Sequence, residues 1–157
     1  MSNKQAIDGV LVSPLGRIHN QQGDLFRLMR RDDPGFYGPE EAYCTTVNCG
    51  KIKAWKRHRR MAVNLVPLAG LILLAIHDDR PKSPTNGKGW CRLLTPYLCR
   101  VTIPPNLWFG FQGISTEPNI LLNLASLVHD PEECDTLSPE YFQDASFQWY
   151  VEAGWTR

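Results

Sequence analysis

The apolar residues of this chain come in short runs closed off by turn residues, and few stretches sustain the 3.6-residue period of a helix. Such a rhythm favours strands over long helices. Candidate strands lie at 9–12, 24–30, 41–49, 51–58, 61–67, 71–78, 90–94, 99–103, 109–113 and 120–128. Turn signals separate them at Gly23, Asp33-Pro34-Gly35, Gly50, Gly70, the Ser-Pro-Thr-Asn-Gly stretch at 83–87, and Pro104-Pro105-Asn106. About ten strands joined in this way predict an all-β, closed or sandwich-like antiparallel barrel, most economically a jelly roll. Twelve Gly and twelve Pro in 157 residues point the same way.

Residues 71–76 are apolar at every position, the pattern of a central strand covered on both faces. Ser138-Pro139-Glu140 reads as a helix start with Pro in the first turn, so a short C-terminal helix is expected there, although Phe147, Trp149 and Val151 alternate as a strand would. The absence of repeats and linkers predicts one domain over 1–157, with a core at about 9–135 and an extension at 136–157.

Lys and Arg number 17 against 16 Asp and Glu, a net charge of +1 that argues against nucleic acid or an anionic membrane as the partner. Cys44, Cys49, Cys91, Cys99 and Cys134 form an odd set without a C-x-x-C pair, which fits free thiols in a reducing compartment. Asp8 and Gly9 interrupt the apolar stretch near the N-terminus, so no signal-peptide core is expected there. The most apolar run, 62–76, is too short to span a membrane and is broken by Asn64 and Pro67. A soluble, cytoplasmic protein is predicted.

The segment Gly50-Lys51-Ile52-Lys53-Ala54-Trp55-Lys56-Arg57-His58, with Val63 and Gly70 after it, has the spacing of the first cupin motif. Lys56 stands for its first histidine and Val63 for its glutamate. The 103–111 stretch echoes the second motif, with Asn106 for a glycine and Phe109 for a histidine. Only His58 keeps a metal-ligating side chain, so neither a metal nor another cofactor is expected.

Over about 9–135 the chain resembles the dTDP-4-dehydrorhamnose 3,5-epimerase family. The resemblance is carried by residues 52–58, by Asp78-Asp79-Arg80-Pro81 with Ser83-Pro84-Thr85, by Ile103-Pro104-Pro105 with Gly110-Phe111, and by His129-Asp130-Pro131. It implies a jelly-roll cupin barrel, a homodimer, a nucleotide-sugar ligand, and proton removal and return beside the carbonyl of a 4-keto sugar. The family's histidine base falls at Lys56, its tyrosine acid near Asn123 and its phosphate-contacting arginine at Gln22. Its late aspartate partner for the histidine has no clear counterpart.

The two-residue strand period places Lys56 and His58 on one face and Trp55 and Arg57 on the other. In the resembled fold the first face looks into the barrel, where desolvation would favour the neutral lysine and make it a usable base. Lys56 and His58 are therefore candidate catalytic bases, with Asn123 orienting the carbonyl. Arg27 and Lys53 are candidate cations for a diphosphate, and Tyr43 and Trp108 candidate stacking faces for a base or sugar. Two readings stand at this point: an epimerase or keto-isomerase of a dTDP-linked 4-keto-6-deoxy sugar, and a non-catalytic cupin that binds a sugar nucleotide or a partner enzyme.

Overall fold

The computed structural model describes residues 7–142 and Trp149. Its strands are β1 (Leu11–Pro14), β2 (Gly16–Ile18), β3 (Leu25–Arg27), β4 (Glu41–Val47), β5 (Ile52–His58), β6 (Val63–Ala69), β7 (Ile72–Asp78), β8 (Lys88–Leu94), β9 (Cys99–Ile103), β10 (Trp108–Gly113), β11 (Asn119–Ala125) and β12 (Cys134–Thr136), with one 3-10 turn at Pro131–Glu133. They form two five-stranded sheets, in the orders β1-β9-β6-β11-β4 and β12-β5-β10-β7-β8, and a separate β2-β3 hairpin. All strand pairs are antiparallel. The expected strands from residue 41 onward lie within a few residues of the observed ones, while β2 and β12 were not foreseen.

The all-apolar run at 71–76 explains itself in β7. Ile72, Leu74 and Ile76 join the main core with Leu65, Val101, Phe109 and Leu121. Leu73 and Ala75 face a second, aromatic cluster built on Trp55, Trp108 and Trp149. Both faces of β7 are therefore covered, which an alternating strand could not satisfy.

The strand expected at 24–30 stops early, and the following loop folds over the outside of the first sheet. Arg100 on β9 holds it there, donating to the carbonyls of Leu28 and Pro34, both at 2.8 Å, and to Asp33 Oδ2 at 2.9 Å. This pairing and the Arg30 amide hold the Asp33 carboxyl below the usual carboxylate range.

The C-terminal helix is a correction. Residues 139–142 form turns, and no α-helix occurs among the described residues; the rest of that expectation, with Phe147 and Val151, lies outside them. The Pro139 carbonyl accepts indole N–H bonds from Trp55 at 3.2 Å and Trp149 at 2.9 Å, which occupies an acceptor that a helix would use for its own ladder. Leu137 and Phe142 pack beside these indoles, so the chain after β12 covers the outer face of the second sheet.

Candidate functional site

Between β4 at the edge of the first sheet and β12 and β5 at the edge of the second lies a cavity of about 550 Å³. Leu65, Phe109, Phe111 and Leu121 give it an apolar lining, and Tyr43, Lys53, Lys56, His58 and Asn123 bring polar groups to it. Among the described residues no Asp or Glu lines it, so Lys53 and Lys56 face no described carboxylate on its wall and the cavity suits an anionic ligand.

Strict alternation along β5 would set Lys53 and Lys56 on opposite faces. Between them, however, β5 carries one residue more than β10: Phe111 pairs with Lys53 and Phe109 with Lys56. Directly opposed residues share a face, so this bulge brings both lysines to the cavity side. Gly110 sits at the bulge because a side chain there would run into Ala54, its Cβ coming within 2.9 Å of Ala54 Cα. Lys53 Nζ then reaches Thr45 Oγ1 on β4 at 2.9 Å and ties the two sheets together across the cavity.

Lys56 is exposed, a correction to the expectation of a lysine shut inside a dry barrel. It pairs with Thr136, where β12 ends, and so stands at the mouth of the cavity rather than under a continuing sheet.

His58 is buried, and its Nδ1 lies 2.7 Å from Glu133 Oε2. The carboxylate only accepts, so Nδ1 carries a proton, and in the neutral ring Nε2 keeps its lone pair. Glu133 is itself buried at 3% exposure and accepts the backbone N–H groups of Arg60 and Met61. Burial alone would raise its carboxyl, but the Arg60 and Met61 amides together with His58 outweigh that and hold it below the usual range. Local sequence explains its position. Asp130 caps the 3-10 turn through the Glu132 N–H at 3.0 Å, Pro131 starts it, and the next residue, Cys134, pairs directly with His58. Burial pushes the Cys134 thiol up.

On the facing sheet Asn123 and Tyr43 are directly opposed across β11 and β4. Asn123 Nδ2 donates to Tyr43 Oη at 2.8 Å, and Asn123 Oδ1 accepts the Asn64 N–H at 3.2 Å. Both ends of the amide are thus engaged.

The structure gathers Lys53, Lys56, His58, Tyr43 and Asn123 in one cavity, and leaves two expected residues out of it. Trp108 pairs with Arg57 on β5 and His77 on β7, which turns its ring to the outer face and leaves Phe109 pointing inward. There its Nε1 donates to Asp79 Oδ2 at 2.8 Å under the Arg57 guanidinium, and it does not line the cavity. Arg27 lines a separate cavity of about 330 Å³ with Arg30 and Arg100. The reason is topological: β3 pairs only with β2, so the hairpin stands apart from the two sheets.

No family model matches the chain. It is 33% identical over 119 residues to the probable low-salt glycan biosynthesis epimerase Agl13 of Haloferax volcanii, covering 74% of this chain and 76% of that protein. The chain belongs to the dTDP-4-dehydrorhamnose 3,5-epimerase family. The solved dTDP sugar isomerase from Desulfovibrio desulfuricans G20 is 30% identical, with a TM-score of 0.80 over 91% of this chain and 92% of the other. A 4-keto-6-deoxy sugar epimerase from the novobiocin biosynthetic gene cluster of Streptomyces spheroides shares the fold, with a TM-score of 0.81 at 19% identity over 94% of this chain and 77% of the other.

As a member of this epimerase family the chain is unusual at the position where the resemblance sets the histidine base, since Lys56 stands there. The buried imidazole is two residues further on, and Glu133, which sequence reasoning missed, is its carboxylate partner. The available signal was the pair of acidic residues directly after the His129-Asp130-Pro131 anchor.

Proposed function

We propose that this chain is an epimerase or keto-isomerase of a dTDP-linked 4-keto-6-deoxy sugar, with His58 as the base that removes a proton beside the carbonyl. The observation that carries the reading is the His58 imidazole, held at Nδ1 by Glu133 and lining a cavity whose charged rim is cationic. With Nδ1 anchored, the neutral form of the ring presents Nε2 as the proton acceptor. Lys53 and Lys56 bind the diphosphate and stabilise the negative charge that develops on the carbonyl oxygen. The substrate class is taken from what the relatives above are named for.

The non-catalytic reading has one specific observation behind it, the exposed Lys56 at the family's histidine position. One experiment separates the two: incubation with a dTDP-4-keto-6-deoxy sugar in heavy water, following deuterium at the carbons flanking the carbonyl. The enzyme reading expects exchange that disappears in His58→Asn while dTDP binding persists. Exchange at the uncatalysed rate in the parent protein, with binding kept, leaves a sugar-nucleotide binding module.

The same reading takes the two sheets as a jelly-roll cupin barrel, supported by the likeness to the solved epimerase and isomerase, and takes the working form as a homodimer. The β2-β3 hairpin supports the dimer: it pairs with neither sheet and exposes Ile18 and Leu25, and an isolated hairpin of this kind is marginal without a covering partner. Light scattering is expected to give about twice the 17.9 kDa chain mass. The five free thiols support a cytoplasmic setting.

A further inference from the structure

The β2-β3 hairpin pairs with neither sheet, and the cavity of about 330 Å³ lies where it meets the first one. Ser13 of β1, Arg27 of the hairpin, Arg30 and Asp33 of the loop after it, and Arg100 of β9 all line this space. Three guanidinium groups thus stand against one carboxylate, an excess of two positive charges. That carboxylate is already committed, since Asp33 Oδ2 accepts the Arg30 N–H at 2.8 Å and Arg100 Nη1 at 2.9 Å. Arg30 pairs with the exposed Asp32 at 2.8 Å, whereas Arg27 has neither a hydrogen bond nor an ion pair among the described residues.

Arg100 supplies a second, independent observation. Its side chain is buried, and a guanidinium carries five N–H donors. The Leu28 and Pro34 carbonyls and Asp33 take up Nη1 and Nη2, but the buried Nε has no partner. Buried donors are nearly always paired, because leaving one unmet costs free energy. Arg100 is therefore fixed in place by the fold with donor capacity to spare, beside an arginine that nothing in the described chain neutralises.

We propose that this cavity is a second ligand site, which binds a phosphate group, either as the free ion or on a phosphomonoester. Guanidinium forks match phosphate oxygens in pairs, and a phosphate carrying up to two negative charges near neutral pH meets the excess charge of the lining. The Ser13 hydroxyl adds a neutral donor. The site shares no lining residue with the cavity of about 550 Å³, so it does not depend on the epimerase reading. A phosphate held between Arg27 and Arg100 also pins the hairpin to the first sheet, a contact that strand pairing does not provide.

Phosphate could also settle on Lys53 and Lys56, so the test uses the full chain carrying Lys53→Gln and Lys56→Gln, titrated calorimetrically with inorganic phosphate and with glycerol 3-phosphate. One saturable site with a Kd of about 1 mM is expected. Adding Arg27→Gln should weaken it about tenfold, the loss of one charge-assisted hydrogen bond, and Arg27→Lys, which keeps the charge without the fork, should fall between. Arg27 is exposed and unpartnered, so the melting temperature in phosphate-free buffer should not change; Arg100 is left in place because it holds the loop. Phosphate should also slow hydrogen exchange of the β2 and β3 amides, and lose that effect in Arg27→Gln. Tighter binding of the ester identifies a phosphomonoester as the ligand, and equal or weaker binding identifies the free ion. The absence of saturable binding, or an affinity that Arg27→Gln lowers by less than about threefold, overturns the proposal.

Discussion

Glu133 Oε2 and His58 Nδ1 lie 2.7 Å apart, although 75 residues separate them along the chain. The contact exists because β12 adds to the edge of β5 and delivers the residue before it to the imidazole. Glu133 also closes the amides of Arg60 and Met61, so one carboxylate both orients the ring and holds the turn that leaves β5.

Glu133→Gln is accordingly expected to lower turnover by roughly a hundredfold, because an amide can also donate to the ring and no longer fixes the tautomer. KM for the sugar nucleotide should change little, since Glu133 does not line the cavity. Equal losses in binding and turnover would mean that the residue only supports the fold.

Stability should fall on acidification. The Glu133 carboxyl sits below its ordinary value of 4.5 in the folded chain, and those of Asp33, Asp78 and Asp135 below 3.8. A lowered folded-state pKa contributes stability that is complete above the unfolded value and disappears as pH falls through the folded one. Urea midpoints are thus expected to be flat from pH 7 to about 5.5 and to drop below about 4.5. A midpoint unchanged at pH 3 would contradict this assignment.

Asp78 closes the end of β7 through Arg80, Ser83 and Thr85. Its side chain is wholly buried, and although burial opposes ionisation, these partners keep the carboxyl charged. Asp78→Asn is expected to destabilise the protein by about 2–3 kcal/mol, read from urea unfolding, with dTDP binding retained when the folded protein is assayed.

Gly110→Ala forces a side chain into Ala54 at the β5 bulge. An overpacking loss of roughly 1–3 kcal/mol is expected, together with weaker nucleotide binding, because the bulge is what turns Lys53 toward the cavity. Isothermal titration with dTDP checks the second part, and unchanged affinity would show that the bulge geometry absorbs the extra methyl.

The longer strands were legible because each pairs a run of β-forming residues with a turn signal, as in 41–47 and 72–78. The three-residue strands β2 and β12 carry too few residues for a period to show. Trp108 was named by its residue type alone, whereas its side of the sheet is set by its register against Arg57 and His77. Lys56 was expected to be buried because its face could be inferred, whereas the end of β12 beside it could not. Glu133 and the Tyr43-Asn123 bond depend on contacts 75 and 80 residues apart in the chain, which no local pattern encodes. The helix start expected at 138–140 forms turns instead, and Pro139 lends its carbonyl to the indoles of Trp55 and Trp149.

Strand β5 divides its labour between its two sides. Lys53 and Lys56 look toward the cavity and are exposed, whereas Trp55 is buried against Phe142 and Trp149 and Arg57 is bound to Asp79 and Asp135. Selection can therefore act on neighbouring codons with different consequences. Positions 53 and 56 are open to exchange at little cost to folding, so the choice of ligand can drift within a lineage, while changes at positions 55 and 57 disturb the cover that lies on them. A randomised library restricted to the first pair would return folded proteins of altered preference; one built on the second would return mostly aggregates.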